Sequence, residues 1–246
     1  MPDLDFKVVA IEAVKHAAVP TLYFKLAIAN QAMGKDARPP PIQSIALQCQ
    51  IRIDTRRCTY KPQEKARLTE LFGESEHWSR TLHSMLWTHA SVVVPAFDGD
   101  CTQVDLPVPC SFDFNVAVNK FLHALEGGEV PLILLFSGSI FYLGENGALQ
   151  VSQISWNKEA AFPLSVKLWQ QMMDHYYPNG AWLCLRKDVF DRLSRFKTRA
   201  GLPTWEHAVE RLLEMDTTKD HMDTLQCIGA SSDALCATRD RASVIS

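Results

Sequence analysis

The sequence predicts an α+β fold, a largely antiparallel β-sandwich-like sheet with additional packed helices. Three observations carry that expectation. Apolar and polar residues alternate along Phe6–Val14, Leu22–Ile28 and Ile42–Asp54, the period of strands with one buried face. Short turn sequences, Gly127-Gly128 and Glu145-Asn-Gly, separate later extended stretches; antiparallel neighbours allow such turns, whereas parallel neighbours need long crossovers. From Pro163 onward the apolar spacing lengthens to that of helices.

In chain order, the stripes Leu22, Phe24, Leu26, Ile28 and Ile45, Leu47, Cys49, Ile51, Ile53 define the best-marked strands. Cys49 falls on the second stripe and reads as a small buried hydrophobe. Between the two, Asn30–Pro41 ends in three prolines and reads as a surface loop. Pro62–Leu71 is a helix with proline at its start and Gly73 past its end. Ser75 is placed to cap a second helix through Trp78, Leu82, Met85 and Leu86. The chain is extended again over Trp87–Phe97, turns at Asp98-Gly-Asp, and continues as an edge-like segment at Leu106–Cys110, where two prolines cannot donate to a central ladder.

Phe112, Phe114, Val116 and Val118 alternate, and Asn115 and Asn119 favour a strand there, with helix following over Phe121–Leu125. Pro131–Leu143 and Leu149–Trp156 complete the β region. Leu164, Leu168, Met172 and Met173 mark a helix ending near Pro178, and Ala181–Leu185 reads as a short strand. Asp188–Arg199 is a helix with Phe190, Leu193 and Phe196 on its core side. Thr204 caps a last helix whose apolar face is Trp205, Val209, Leu212 and Leu213, with His207 standing three places on where an acid is usual. The expected division is a β-rich domain over 1–160 with a helical insertion at 62–86, a helical portion over 161–215 packed on it, and a flexible tail over 216–246.

With 246 residues, 47% of them apolar and 22% charged, the chain can bury a core without a metal or disulfide. A formal charge of -3 gives no long-range attraction to phosphate backbones, so nucleic acid is not an expected partner. Seven cysteines without a Cys-x-x-Cys pair fit neither a stapled secreted domain nor a thiolate metal site. No metal and no cofactor is expected. The start, Met-Pro-Asp-Leu-Asp, is neither basic nor apolar, and the central run Val130–Leu135 is too short to cross a bilayer. The expected location is the cytoplasm, with no direct membrane insertion.

Catalytic motifs were sought by their chemistry. Ser137-Gly-Ser139 lacks the Gly-x-Ser-x-Gly frame of a nucleophile elbow and reads as a close-packing trio. Gly127-Gly128 lacks the lysine and hydroxyl residue of a phosphate loop. His77, His83 and His89 recur every six residues, so on a helix they would point about 120° apart rather than converge. Glu126 and Glu129 read as turn acids. Among six tryptophans, Trp78, Trp156, Trp169 and Trp205 lie in segments with charged flanks and are the candidate interface residues. A polar site assembled from distant residues would draw on Arg56, Arg57, Asp113, His123 and Glu129.

Four strings carry a family resemblance: Ile45–Tyr60; Arg67–Val94, with Leu71-Phe-Gly-Glu; Pro131–Tyr142, with Leu135-Phe-Ser-Gly; and Met172–Leu183, with Tyr176-Tyr-Pro. Over residues 5–215 the chain resembles DUF6084, an uncharacterised bacterial family of unknown function often encoded beside nickel–iron hydrogenase subunits and their maturation proteins. The strings hold no mechanistic motif, so the resemblance transfers no catalytic or ligand-binding residue. It implies a cytoplasmic, non-enzymatic accessory protein that binds a hydrogenase subunit or maturation protein in assembly, stabilisation or regulation, with self-association to a homo-oligomer as a further expectation. The competing expectation is an enzyme or small-ligand-binding protein built on the polar set.

Overall fold

The computed structural model describes residues 2–31, 39–112, 115–144, 146–178, 180, 183 and 185–216. The chain forms two compact units, Met1–Trp182 and Leu183–Ser246. The first unit runs β1 (Asp3–Ala13), β2 (Thr21–Gln31), β3 (Ile42–Ile53), α1 (Pro62–Phe72), α2 (Trp78–Thr81), β4 (Met85–Val94), β5 (Cys101–Pro109), α3 (Val116–Ala124), β6 (Glu129–Leu143), β7 (Leu149–Gln153), β8 (Glu159–Ser165) and α4 (Val166–Tyr176). Among the described residues no helix is long and apolar enough to cross a membrane.

Two antiparallel sheets result, as the α+β expectation requires. One has the order β1-β2-β5; the other has the order β4-β3-β6-β7, with β8 also pairing β6. The fifteen-residue β6 serves two partners on one side, pairing β8 from Glu129 to Leu135 and β7 from Ser139 to Leu143. Their inner faces hold the alternating apolar residues. Phe24, Leu26 and Ile28 of one sheet and Ile45, Leu47, Ile51 and Leu134 of the other are fully or almost fully buried. Phe6 stacks on Phe136 across the sandwich at 4.5 Å between ring centroids, and Phe24 meets Trp87 edge-on at 6.1 Å. Each buried ring or aliphatic chain contributes about 1.5–3 kcal/mol of burial energy.

The helices α1, α3 and α4 touch in sequence, and α4 also contacts β1 and β8. Tyr60, Phe72, Trp78 and Phe121 form an edge-to-face cluster between these helices and the connections before them. The buried Glu64 ties the first turn of α1 down. Its carboxylate accepts from the backbone N–H groups of Lys61 and Glu126, both at 2.8 Å.

Several elements differ from the sequence expectation. Residues 116–124 are helix rather than strand, because Asn115 caps it: its side-chain oxygen accepts from Val118 N–H at 3.1 Å. Asn119 is buried and donates to the carbonyls of Ser111 and Phe112. The helix after Ser75 stops at Thr81, so Met85 and Leu86 open β4 and Ser75 caps nothing. The β region continues through β8 to Ser165, past residue 160, and α4 lies in the same unit as the sheets. Ala181, Trp182, Cys184 and most of the 216–246 segment fall outside the described residues.

In the second unit, α5 (Lys187–Arg199) is followed by α6, over 205–216. Between them Gly201 takes φ +63 while Leu202 N–H reaches Lys197 O and Gly201 N–H reaches Thr198 O, the paired bonds of a Schellman ending. Thr204 Oγ1 accepts from His207 N–H at 3.3 Å and lies 2.7 Å from its Nδ1. The histidine thus occupies the acid's place in a capping box. Phe190 and Trp205 pack at 5.1 Å, with Lys197 Nζ 5.4 Å from the indole centroid. No residue of α5 is fully buried: Leu193 and Phe196 are half-buried, and Phe190, which the sequence places on the same core side, is exposed beside Trp205.

Candidate functional site

The outer face of the five-stranded sheet gathers exposed polar side chains on one half and exposed apolar ones on the other. Cross-strand register builds it in rows: Ser91, Gln48 and Ser137; His89, Gln50 and Leu135; Val93, Ala46, Ser139 and Gln153; then Phe141 opposite Val151. Residues two apart on β3, β4 and β6 point the same way, so these rows share one surface. Its polar half is a shallow concavity of about 670 Å3 lined by Gln48, Gln50, His89, Ser91, Ser137 and Trp156 with their neighbours. Gln50 Nε2 lies 3.2 Å from His89 Nε2, and Gln153 donates to Ser139 Oγ at 3.1 Å. The lining holds amides, hydroxyls, an imidazole and an indole, and no lysine, arginine or carboxylate. Its other half is apolar, with Val93 70%, Leu149 62% and Val151 55% exposed.

Trp156 stands beside this face with 93% of its surface in solvent. The loop that carries it is tied to β6 where that strand passes from β8 to β7. Ile154 N–H donates to Gly138 O and Phe136 N–H to Lys158 O, both at 2.9 Å, and Ile154 is buried beneath. A smaller concavity of about 310 Å3 opens along the same loop, lined in part by Asp3, Gln153, Ser155 and Lys158. There Lys158 pairs with Asp3 at 2.8 Å. The arrangement offers an anchored aromatic plane next to amide, hydroxyl and imidazole groups that can donate and accept hydrogen bonds.

The sequence-selected residues are distributed differently from one another. Trp78 is 6% exposed and donates its indole N–H to Gly73 O, while Trp169 is fully buried. Trp156 and Trp205 are the two that present aromatic surface to solvent. In the polar set, Arg56 and Arg57 reach back to the buried Asp54 at 3.7 and 3.5 Å. Asp113 lies outside the described residues. Glu129 opens β6 opposite Ser165 and is exposed.

His123, on α3, stacks on Phe112 at 5.6 Å and meets the edge of Trp169 at 4.8 Å. Partial burial lowers its pKa below the ordinary 6.5, against the opposing pull of Asp174, although the residue remains exposed. No hydrogen bond or ion pair joins Arg56, Arg57, His123 and Glu129 to one another among the described residues, and neither concavity above is lined by them. Glu126 is held by Lys61 at 3.2 Å and Arg67 at 3.4 Å.

Three of the thiols are shielded as well, whereas Cys101 is exposed. Burial pushes Cys49 and Cys110 up to about 12 and Cys58 up to about 11. Among the described residues no three His, Cys, Asp or Glu side chains group as a metal site. Sequence reasoning singled out Trp156 but missed Gln48, Gln50, His89, Ser91 and Ser137, whose meeting depends on the register of three strands.

No curated protein matches the chain. Among solved structures, a Bordetella pertussis chain named as an ApaA protein matches at 14% identity, covering 66% of this chain and 93% of its own. Its TM-score of 0.24 is too low to carry an argument about fold or activity. The pattern of one protein family matches residues 1–221, nearly the whole described chain, and on that match the chain belongs to DUF6084, a family of unknown function.

Proposed function

We propose that this is a non-enzymatic binding protein that presents the outer face of its five-stranded sheet to a nickel–iron hydrogenase subunit or to a protein of hydrogenase maturation. The observation that supports binding is Trp156, 93% exposed beside a sheet-face concavity whose lining holds no lysine, arginine or carboxylate, with apolar side chains exposed next to it. An indole held in water by an anchored loop stabilises nothing in the free chain, whereas aromatic residues at the centre of an uncharged patch dominate the energetics of protein interfaces. The choice of partner rests on the gene neighbourhood that the family resemblance implies. The enzyme alternative draws no support from the placement of Arg56, Arg57, His123 and Glu129, which engage separate neighbours.

The test is affinity purification from the native cell at physiological salt, with the wild-type chain and with Trp156→Ala. A hydrogenase subunit or maturation protein is expected with the wild type. The variant should bind it at least about 30-fold more weakly in a purified titration, while its melting temperature stays unchanged. Recovery of no hydrogenase-related protein, under conditions that keep the hydrogenase complex intact, would overturn the partner. Undiminished binding by Trp156→Ala would overturn the face.

A further inference from the structure

We infer that the helix pair α5–α6 associates with a second copy of the chain, α5 of each lying along α6 of the other. Three observations lead there. First, α5 of the same chain covers the apolar stripe of α6 only in part: Phe190 packs on Trp205 at 5.1 Å, yet Trp205 and Val209 are each still 40% exposed and Leu212 is 42% exposed, at the i, i+4, i+7 spacing of one helix face. Phe190 on α5 is 45% exposed, and α5 contains no buried residue. Two helices of this length cannot enclose a core by themselves.

Second, the helices carry equal and opposite charge. The α5 segment holds five basic side chains against two acidic ones, a formal +3, and α6 holds four acidic against one basic, a formal -3. Third, two ion pairs in this unit are local ones: Arg186 with Asp188 at 3.4 Å and Arg211 with Glu214 at 3.3 Å.

A two-fold axis turns these features into a complementary set. It places the basic helix of one copy on the acidic helix of the other twice over, with the apolar stripes between them and the charges along the rims. A second copy is the occupant because it supplies both an apolar stripe and the opposite charge in a single surface. The inference is separate from the proposed hydrogenase binding, since Trp156 lies in the other unit.

Sedimentation velocity on the full chain, over micromolar concentrations and at low and high salt, tests it. The expected result is a monomer–dimer equilibrium that shifts towards monomer as salt screens the helix charges. Leu212→Glu, at an exposed position, should weaken the dimer at least about 30-fold without moving the melting temperature. The double variant Arg192→Glu, Arg199→Glu makes both helices acidic and should be monomeric. Adding Glu210→Lys and Asp216→Lys, which reverses α6 as well, should restore the dimer, a rescue that a purely structural role would not give. A chain that stays monomeric at every concentration and salt, a dimer that survives Leu212→Glu, or a fourfold variant that fails to re-associate would each overturn the pairing.

Discussion

Gly138 sits inside β6 at φ +134, where an added Cβ would stand 2.0 Å from the carbonyl oxygen of Ala46. That oxygen belongs to the neighbouring strand and cannot swing aside as a side chain would. Both the backbone angle and the close approach of β3 therefore require glycine. Gly138→Ala should cost on the order of 3 kcal/mol in urea unfolding, whereas Ser137→Ala, at the exposed neighbouring position, should change stability by less than about 0.5 kcal/mol. A Gly138→Ala protein as stable as wild type would show that β3 and β6 can separate there at little cost. His123 gives a second prediction at this scale. Its folded pKa lies below 6.5 because partial burial disfavours the charged ring, so near that pH the unfolded chain binds the proton more readily than the folded one. Stability should consequently fall as pH drops through 6.5, and the slope should flatten in His123→Gln. Melting temperatures measured from pH 8 to about pH 5 read the difference. An identical slope in both proteins would assign the acid sensitivity to other groups.

At the scale of elements, β1, β2, β3 and β6 were legible because each buries one face and exposes the other, so burial writes itself as alternation. The first turn of α1 was legible from Pro62, and the start of α6 from Thr204. The segment 116–124 was not legible as a helix. With Val118, Asn119, Phe121, Leu122 and Ala124 all buried, it is enclosed on more than one side, and a helix enclosed that way shows no clean 3.6 period. The capping asparagine was visible, but beside alternating Phe and Val it read as part of a strand. In β8 burial alternates, with Ala160, Phe162 and Leu164 turned inward, but the outward positions between them, Ala161 and Pro163, are not polar, so the sequence carries no apolar–polar alternation to read. The candidate face lies a step further from the sequence. Gln48 and Ser137 are 89 positions apart and become neighbours only through the β3–β6 register. Trp156 and Trp169 have similar flanks in sequence yet end at 93% and 0% exposure, because a hydrogen-bonded loop carries one and the inner side of α4 carries the other.

At the scale of the whole molecule, a formal charge of only -3 conceals the uneven distribution that matters: a sheet-face concavity lined by no lysine, arginine or carboxylate in one unit and two oppositely charged helices in the other. The units also differ in what holds them. The sandwich rests on a continuous cluster of buried apolar side chains drawn from both sheets and four helices, while α5 buries none of its residues. Local opening free energies follow buried contacts, so the two units should separate in native-state hydrogen exchange. Amides of β2, β3 and β6 should exchange only through global unfolding. Those of α5 and α6 should exchange orders of magnitude faster when the chain is dilute, and should slow as concentration rises towards the range in which the helix pairs associate. Leu212→Glu separates the causes, because it should remove the concentration dependence from α5 and α6 while leaving the strands as slow as before. Helices as protected as the strands at the lowest concentration would mean that α5 and α6 are stabilised within one chain, and the open apolar stripe of α6 would then need another explanation.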